Sequence, residues 1–158
     1  MMKIKENLIH FTIDGNTQSG FFKKTITGHD EETQTDFFTF EVTIDDKVYT
    51  IQNNTMELVT IILQRQLPKN VKILCCQTCM HGNFCPFGDQ EDEMFCLINY
   101  SPKDKGDVVD IFLRHLEGDV ALNSNRLLHK CENYQEVIDS YYSYNDWLWY
   151  FKDNDEHI

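Results

Sequence analysis

Apolar and polar positions alternate through most of the first fifty residues. Ile9, Phe11 and Ile13 alternate with polar neighbours. Phe22 and Ile26 share one face of the stretch 21–27, and Phe38, Phe40, Val42 and Ile44 alternate with Thr39, Glu41 and Thr43. A period of two marks a half-buried strand. Asp14-Gly15-Asn16 reads as a turn, 28–33 as an exposed polar connection, and Asp45-Asp46 as a hairpin turn of undefined type leading into 48–51. Four sequential strands with short connections predict an antiparallel meander.

The period then changes. Asn54 and Glu57 have the spacing of a capping box, and Met56, Val59, Ile62, Leu63 and Leu67 recur at helical intervals until Pro68 ends the run. Residues 71–76 and 94–98 read as strands, with the long excursion 77–92 between them. A second helix is expected over 107–117, capped by Asp107, with Val109, Phe112, Leu113 and Leu116 on one face and Gly118 at its end. Residues 122–131 show no clear period. Asn133 and Glu136 form another cap pair, and Val137, Tyr141, Tyr144, Leu148 and Phe151 are spaced for a helix, although 140–145 are poor helix formers. The last residues, 153–158, read as a frayed tail.

These elements predict a single α+β domain over 1–158. It comprises an antiparallel sheet of about six strands, with about three helices packed mainly on one face. Its parts are strand-rich 1–52, a helix over 54–67, a cysteine loop 75–96 between two strands, and a helical C-terminal part, 107–152.

A chain of 158 residues buries about two-thirds of its unfolded surface, so it needs neither metal nor disulfide to fold. Its 26 acidic residues against 14 basic ones give a net charge of −12. That balance excludes nucleic acid and anionic membranes as partners, because phosphates require Lys and Arg. It suits a soluble cytoplasmic protein, or in a sharper form an acidic surface for a basic protein partner such as a nuclease toxin. Residues 1–13 lack an apolar run of signal-peptide length, and no stretch has the length of a membrane span. Without export, the cysteines are expected to be reduced thiols or metal ligands.

Five of the six cysteines fall between positions 75 and 96, in C-C-Q-T-C-M-H-G-N-F-C-P-F-G-D-Q-E-D-E-M-F-C. Cys76 and Cys79 form a C-x2-C pair, a spacing that lets one tight turn place both sulfurs on one ion. With Cys85 and Cys96 they offer four thiolates for a closed structural zinc site, for which Cys75 and His81 are substitute donors. Strand alternation directs Cys75 to the core with Val71 and Ile73, and Cys76 the other way. Cys131 reads as a small core residue. Reduced thiols without metal are the competing reading. Redox or catalytic use is a third, weakened because no helix begins at the C-x2-C to lower a thiol pKa. The acidic run Asp89, Glu91, Asp92, Glu93 reads as a solvated loop face. The dense patch Trp147, Leu148, Trp149, Tyr150, Phe151 reads as core, with a partner surface as the alternative. No phosphate-binding loop, nucleophile elbow or H-E-x-x-H motif is present, and no catalytic residue is assigned.

The residues C-x2-C-M-H-G-N-F-C-P-F-G, the later F-C-L-I-N and the ending Y-Y-S-Y-N-D-W-L-W-Y-F resemble uncharacterised bacterial domain families. Those families carry a C-x2-C-x5-[CS]-P-[FY]-G loop and a later strand cysteine. The resemblance implies a bacterial cytosolic protein, with Cys79, Cys96 and one of Cys75 or Cys76 as a recurring set, and implies no activity. The favoured function is a non-enzymatic binding or interaction protein, with an immunity-like role as one version. The alternative is a small metal- or thiol-dependent enzyme with its site on the cysteine loop.

Overall fold

In the computed structural model, which describes residues 7–88 and 92–151, the period-two stretches are strands. β1 (Asn7–Ile13), β2 (Asn16–Asp30), β3 (Thr35–Ile44) and β4 (Lys47–Asn53) form the expected antiparallel meander. β5 (Val71–Leu74) adds to its edge, giving the order β4-β3-β2-β1-β5. The alternation in β3 is real: Phe38, Phe40, Val42 and Ile44 are all buried, with Ile9 and Phe11 of β1. Truncating a ring such as Phe40 to Ala costs about 3–5 kcal/mol.

Two of the hairpins rest on left-handed residues. Asp14 and Gly15 have φ of 50° and 82°, and Asp45 and Asp46 have 50° and 62°. Positive φ at both positions of a two-residue loop is the type I′ geometry that matches strand twist. The turn whose type the sequence left undefined is therefore type I′, with aspartate where glycine is usual. β2 runs further than expected. Its pairing with β3 shifts between Ile26 and Gly28 and then continues to Asp30 opposite Thr35. Much of the predicted connection 28–33 is thus strand, because a bulge restores register and lets a polar segment stay paired.

α1 (Met56–Gln66) ends before Pro68, as expected, and packs on β4. Its start differs. Thr55 holds the cap position without a side-chain bond, while Asn53 Oδ1 accepts from the N–H groups of Asn54 and Thr55. Gln64 reaches from α1 to β5: its Nε2 donates to Val71 O at 2.8 Å and its Oε1 accepts from Ile73 N at 2.9 Å. One side chain thus supplies both halves of a missing strand neighbour.

Contacts divide the chain into two compact units, Met1–Ile73 and Leu74–Ile158. The second holds β6 (Gly82–Asn83), β7 (Glu93–Cys96) and β8 (Asn123–Arg126) in a separate sheet, with α2 (Lys105–Leu116) and the five-residue α3 (Trp147–Phe151). The fold is α+β, but among the described residues its strands form sheets of five and three rather than one of about six. β6 and β8 have no signature in the sequence, because strands of two and four mostly polar residues carry no alternation. β5 and β7, which flank the cysteine loop, belong to different sheets.

α2 begins at Asp104, whose Oδ1 accepts from Asp107 N at 2.9 Å. Asp107 is therefore inside the helix rather than its cap. The buried face is Val108, Ile111 and Phe112, while Leu113 and Leu116 are exposed. Phe95 meets Phe112 edge to face at 4.9 Å in this core. The predicted helix over 133–151 is reduced to α3. Residues 127–146 are irregular: isolated turns such as Tyr134 N to Cys131 O alternate with bonds to the cysteine loop, such as Val137 N to Thr78 O. The tail 153–158, and Asp89 and Glu91 of the acidic run, lie outside the described residues.

Replacing Asp46 by glycine removes a side chain from a left-handed position and restores the preferred type I′ sequence. Asp46→Gly is expected to raise unfolding stability by about 0.5–1 kcal/mol. Urea titration with an unchanged slope checks this, and a loss of stability would contradict the turn assignment.

Candidate functional site

The cysteine loop starts as the sequence alternation requires. Val71, Ile73 and Cys75 are buried in turn, and Cys75 is fully enclosed. A single 3-10 turn, Cys76–Thr78, follows. Cys79 N–H donates to Cys76 O at 3.3 Å, and Gly82 N–H donates to Cys79 O at 3.0 Å. Two consecutive tight turns hold Cys76 and Cys79 close together. Gly82 is required here: a Cβ at this position would collide with the Cys76 carbonyl oxygen.

Two further segments come up against this turn. Cys96 ends β7, in register with Gly82 on one side and Asn123 on the other. After β8 the chain runs back along the loop. Cys76 N–H donates to His129 O at 2.8 Å, Met80 N–H to Gln135 O at 2.8 Å, and Val137 N–H to Thr78 O at 2.9 Å. Tyr134 Oη and Thr78 Oγ1 share a 2.8 Å hydrogen bond. These bonds bring Cys131 to the cysteine loop.

The result is a cavity of about 150 Å³ lined by Cys75, Cys76, Cys79, Cys96 and Cys131, with His81, His129 and Tyr134. Of the four thiols expected to act together, Cys76, Cys79 and Cys96 share this cavity. Cys85 stands apart, packed against the core of Leu97, Val108, Ile111 and Phe112. The substitute donors Cys75 and His81 both line the cavity. Cys131, read from sequence as core, joins them. No local signal pairs Cys131 with the others, because its approach depends on the long-range bonds just described. Among the described residues, no three Cys, His, Asp or Glu side chains stand close enough, as placed, to hold a metal ion.

The thiols are desolvated and feel one another. Burial pushes Cys75 up to about 11, against hydrogen bonds from the Thr78 and Gln77 N–H groups. Burial pushes Cys76 up to about 12, with added repulsion from Cys75, Cys79, Cys131 and Cys96. Cys96 is raised for the same reason, opposed by the Ile98 N–H. Without a metal, these three thiols are protonated at neutral pH and poor nucleophiles. His81 is 9% exposed, and its Nδ1 has no hydrogen-bond partner among the described residues. An orphaned buried nitrogen costs about 1–3 kcal/mol. Its ring stands edge-on to Tyr141, 5.6 Å between centroids.

A second concavity lies in the same unit. It is an open groove of about 590 Å³, with Tyr141, Tyr142, Trp149 and Ile138 among its lining residues. Trp149 and Ile138 are 54% and 47% exposed. Its aromatic floor is held by Tyr141 Oη, which donates to Tyr100 O at 2.9 Å. Partial burial raises the Tyr142 phenol, with Tyr144, Asp104 and Asp146 adding to the effect. The charge of the chain is unevenly divided. Residues 74–158 hold 16 acidic and 6 basic side chains, and residues 1–73 hold 10 and 8, so −10 of the net −12 belongs to the second unit. No helix among the described residues is long and apolar enough to cross a membrane.

Gly82→Ala is expected to destabilise the second unit by about 2 kcal/mol or more, because backbone must move to admit the methyl group. Denaturant unfolding together with faster alkylation of Cys76 and Cys79 checks this. Tyr134 gives a pH test. Burial raises its phenol above the ordinary value of about 10. The folded chain therefore holds this proton more tightly than the unfolded chain. That contribution is fully present below about pH 10 and is lost as pH rises beyond it. Tyr134→Phe should lose about 1 kcal/mol at neutral pH, through the bond to Thr78, yet decline less steeply above pH 10. Thermal melts from pH 7 to 11 measure both effects.

No protein-family model, no curated protein and no solved structure matches the chain.

Proposed function

We propose that this chain is a bacterial cytoplasmic binding protein, not an enzyme, and that it takes a segment of a basic protein partner in the groove of its second unit. The observation that carries this reading is the groove itself. It combines exposed Trp149 and Ile138 with Tyr141 and Tyr142 in an open channel of about 590 Å³. Tyr and Trp supply large contact area at low entropy cost and dominate interface hot spots. Ser140 and Ser143 add adaptable polar contacts between them.

Charge selects the partner. The unit that owns the groove carries nearly all of the net negative charge, and Asp139 lines the groove itself. Lys103 is the basic residue in the lining, and Lys105 is occupied over the Tyr144 ring at 5.2 Å. A basic segment gains attraction from the surrounding field, which raises its association rate and suppresses acidic competitors. An immunity-like role, in which an acidic protein covers the working surface of a basic toxin, is one concrete form of this function.

The test is fluorescence anisotropy with a labelled peptide rich in Arg and Lys and containing one aromatic residue. Binding is expected, weakening as salt rises. Trp149→Ala should reduce the affinity at least tenfold, and an acidic peptide of equal length should not bind. Binding that survives Trp149→Ala unchanged, or that is equal for the acidic peptide, would overturn the proposal, as would no binding at low salt.

A further inference from the structure

We infer that Cys76, Cys79, Cys96 and Cys131 hold one zinc ion as four thiolates, in a closed structural site inside the second unit. His81 donates from Nδ1 to one of these sulfurs. This site lies apart from the groove and does not depend on what the groove binds.

Three observations assign it. First, the four sulfur-bearing residues come from three separate stretches of chain and line one small cavity. Cys76 and Cys79 come from the turn, Cys96 from the end of β7, and Cys131 from the segment after β8. A cavity of about 150 Å³ bordered mainly by thiols, amides and imidazoles suits an ion better than an organic ligand. Soft thiolates in a four-sulfur set select zinc over hard cations such as magnesium and calcium.

Second, the remaining two cysteines have other tasks. Cys75 points with Val71 and Ile73 into the core and is wholly enclosed. Cys85 packs on the α2 core. The set is therefore selected by placement, and it replaces Cys85 with Cys131.

Third, His81 borders the same cavity, nine-tenths buried, with Nδ1 lacking a partner among the described residues. Buried polar atoms without partners are rare and ask for an explanation. A thiolate beside it supplies the missing acceptor. Four thiolates around a divalent ion leave a local charge of −2, which N–H donors soften. The Ile98 N–H already serves Cys96 in this way.

The thiols do not meet at bonding distance as placed, so the site closes on the ion. Side-chain rotation and a small inward shift of the turn draw four sulfurs onto one centre. Four S–H bonds are broken, four Zn–S bonds form, and up to four protons leave to solvent. No electron is transferred.

The experiment uses the full-length chain and zinc itself. Elemental analysis of protein purified without chelator should give about one zinc per chain. Cys131→Ser and Cys79→Ser should lose it, while Cys85→Ser should keep it. His81→Ala should retain zinc but bind it about 10–100-fold more weakly. Cobalt(II) in place of zinc should show the visible bands of a tetrahedral four-sulfur site. Where a serine variant fails to fold, alkylation mapping of the unaltered chain decides. Zinc should protect Cys76, Cys79, Cys96 and Cys131, and a chelator should release all four together without changing the rate at Cys85. The proposal is overturned if the chain neither contains nor takes up zinc, or if iron is found instead. It is equally overturned if Cys131→Ser keeps the ion, if Cys85 joins the protected set, or if the cobalt spectrum reports three sulfurs. Each outcome is read on the metal itself, and peptide binding is measured separately on the unaltered chain, so failure of either proposal is told apart from failure of the other.

Discussion

The second unit depends on one constraint: buried backbone must be hydrogen-bonded. Between Gln77 and Phe84 nearly every residue is buried, including Gln77, Thr78, His81 and Asn83. This stretch is neither a helix nor a long strand, so it cannot satisfy its own amides and carbonyls. The chain after β8 supplies partners. Gln135 O accepts from Met80, Thr78 O accepts from Val137, and Tyr144 O accepts from Phe84. Two asparagines complete the arrangement. Asn83 Oδ1 accepts from Tyr144 N at 2.6 Å, and Asn145 Nδ2 donates to Gln77 O at 2.6 Å. The loop and the returning segment are irregular together because each serves as the other's ladder.

Both concavities follow from that pairing. On one side the returning segment carries Cys131 and Tyr134 to the turn at Cys76 and encloses a small thiol-lined space. On another it displays Ile138, Tyr141 and Tyr142 beside α3, where Trp147 is buried and Trp149 is exposed. A metal in the first place would fasten the same segment that shapes the second. Stability and recognition then share one stretch of irregular chain, which is where binding residues are commonly found.

The two units differ in how legible they were. In the first, β1 to β4 and α1 follow from alternation, turn residues and a terminal proline. Each of these signals acts within a few residues, and the structure departs from them at the extended β2, at exposed Ile26, at the start of α1 and in its face, where Ile61 rather than Ile62 is fully buried. In the second, α2 was legible as a helix, but its buried face was misassigned. Leu113 and Leu116 looked like core residues, yet the unit turns Val108 and Ile111 inward and leaves the two leucines exposed. Hydrophobicity names the candidates for burial, while the neighbour decides which of them are covered.

The sequence by itself determined the α+β class, the antiparallel meander, the acidic balance and the direction of Cys75 into the core. These properties depend on composition or on spacing along a single element. Only the tertiary structure decided the split into two sheets, the fate of residues 127–146, and the company each cysteine keeps. Cys85 lies between Cys79 and Cys96 in sequence yet packs on α2, whereas the distant Cys131 lines the cavity. Proximity along the chain constrains position only over a turn or two. Beyond that, buried amides seeking partners determine which segments meet, and no local pattern records their choice.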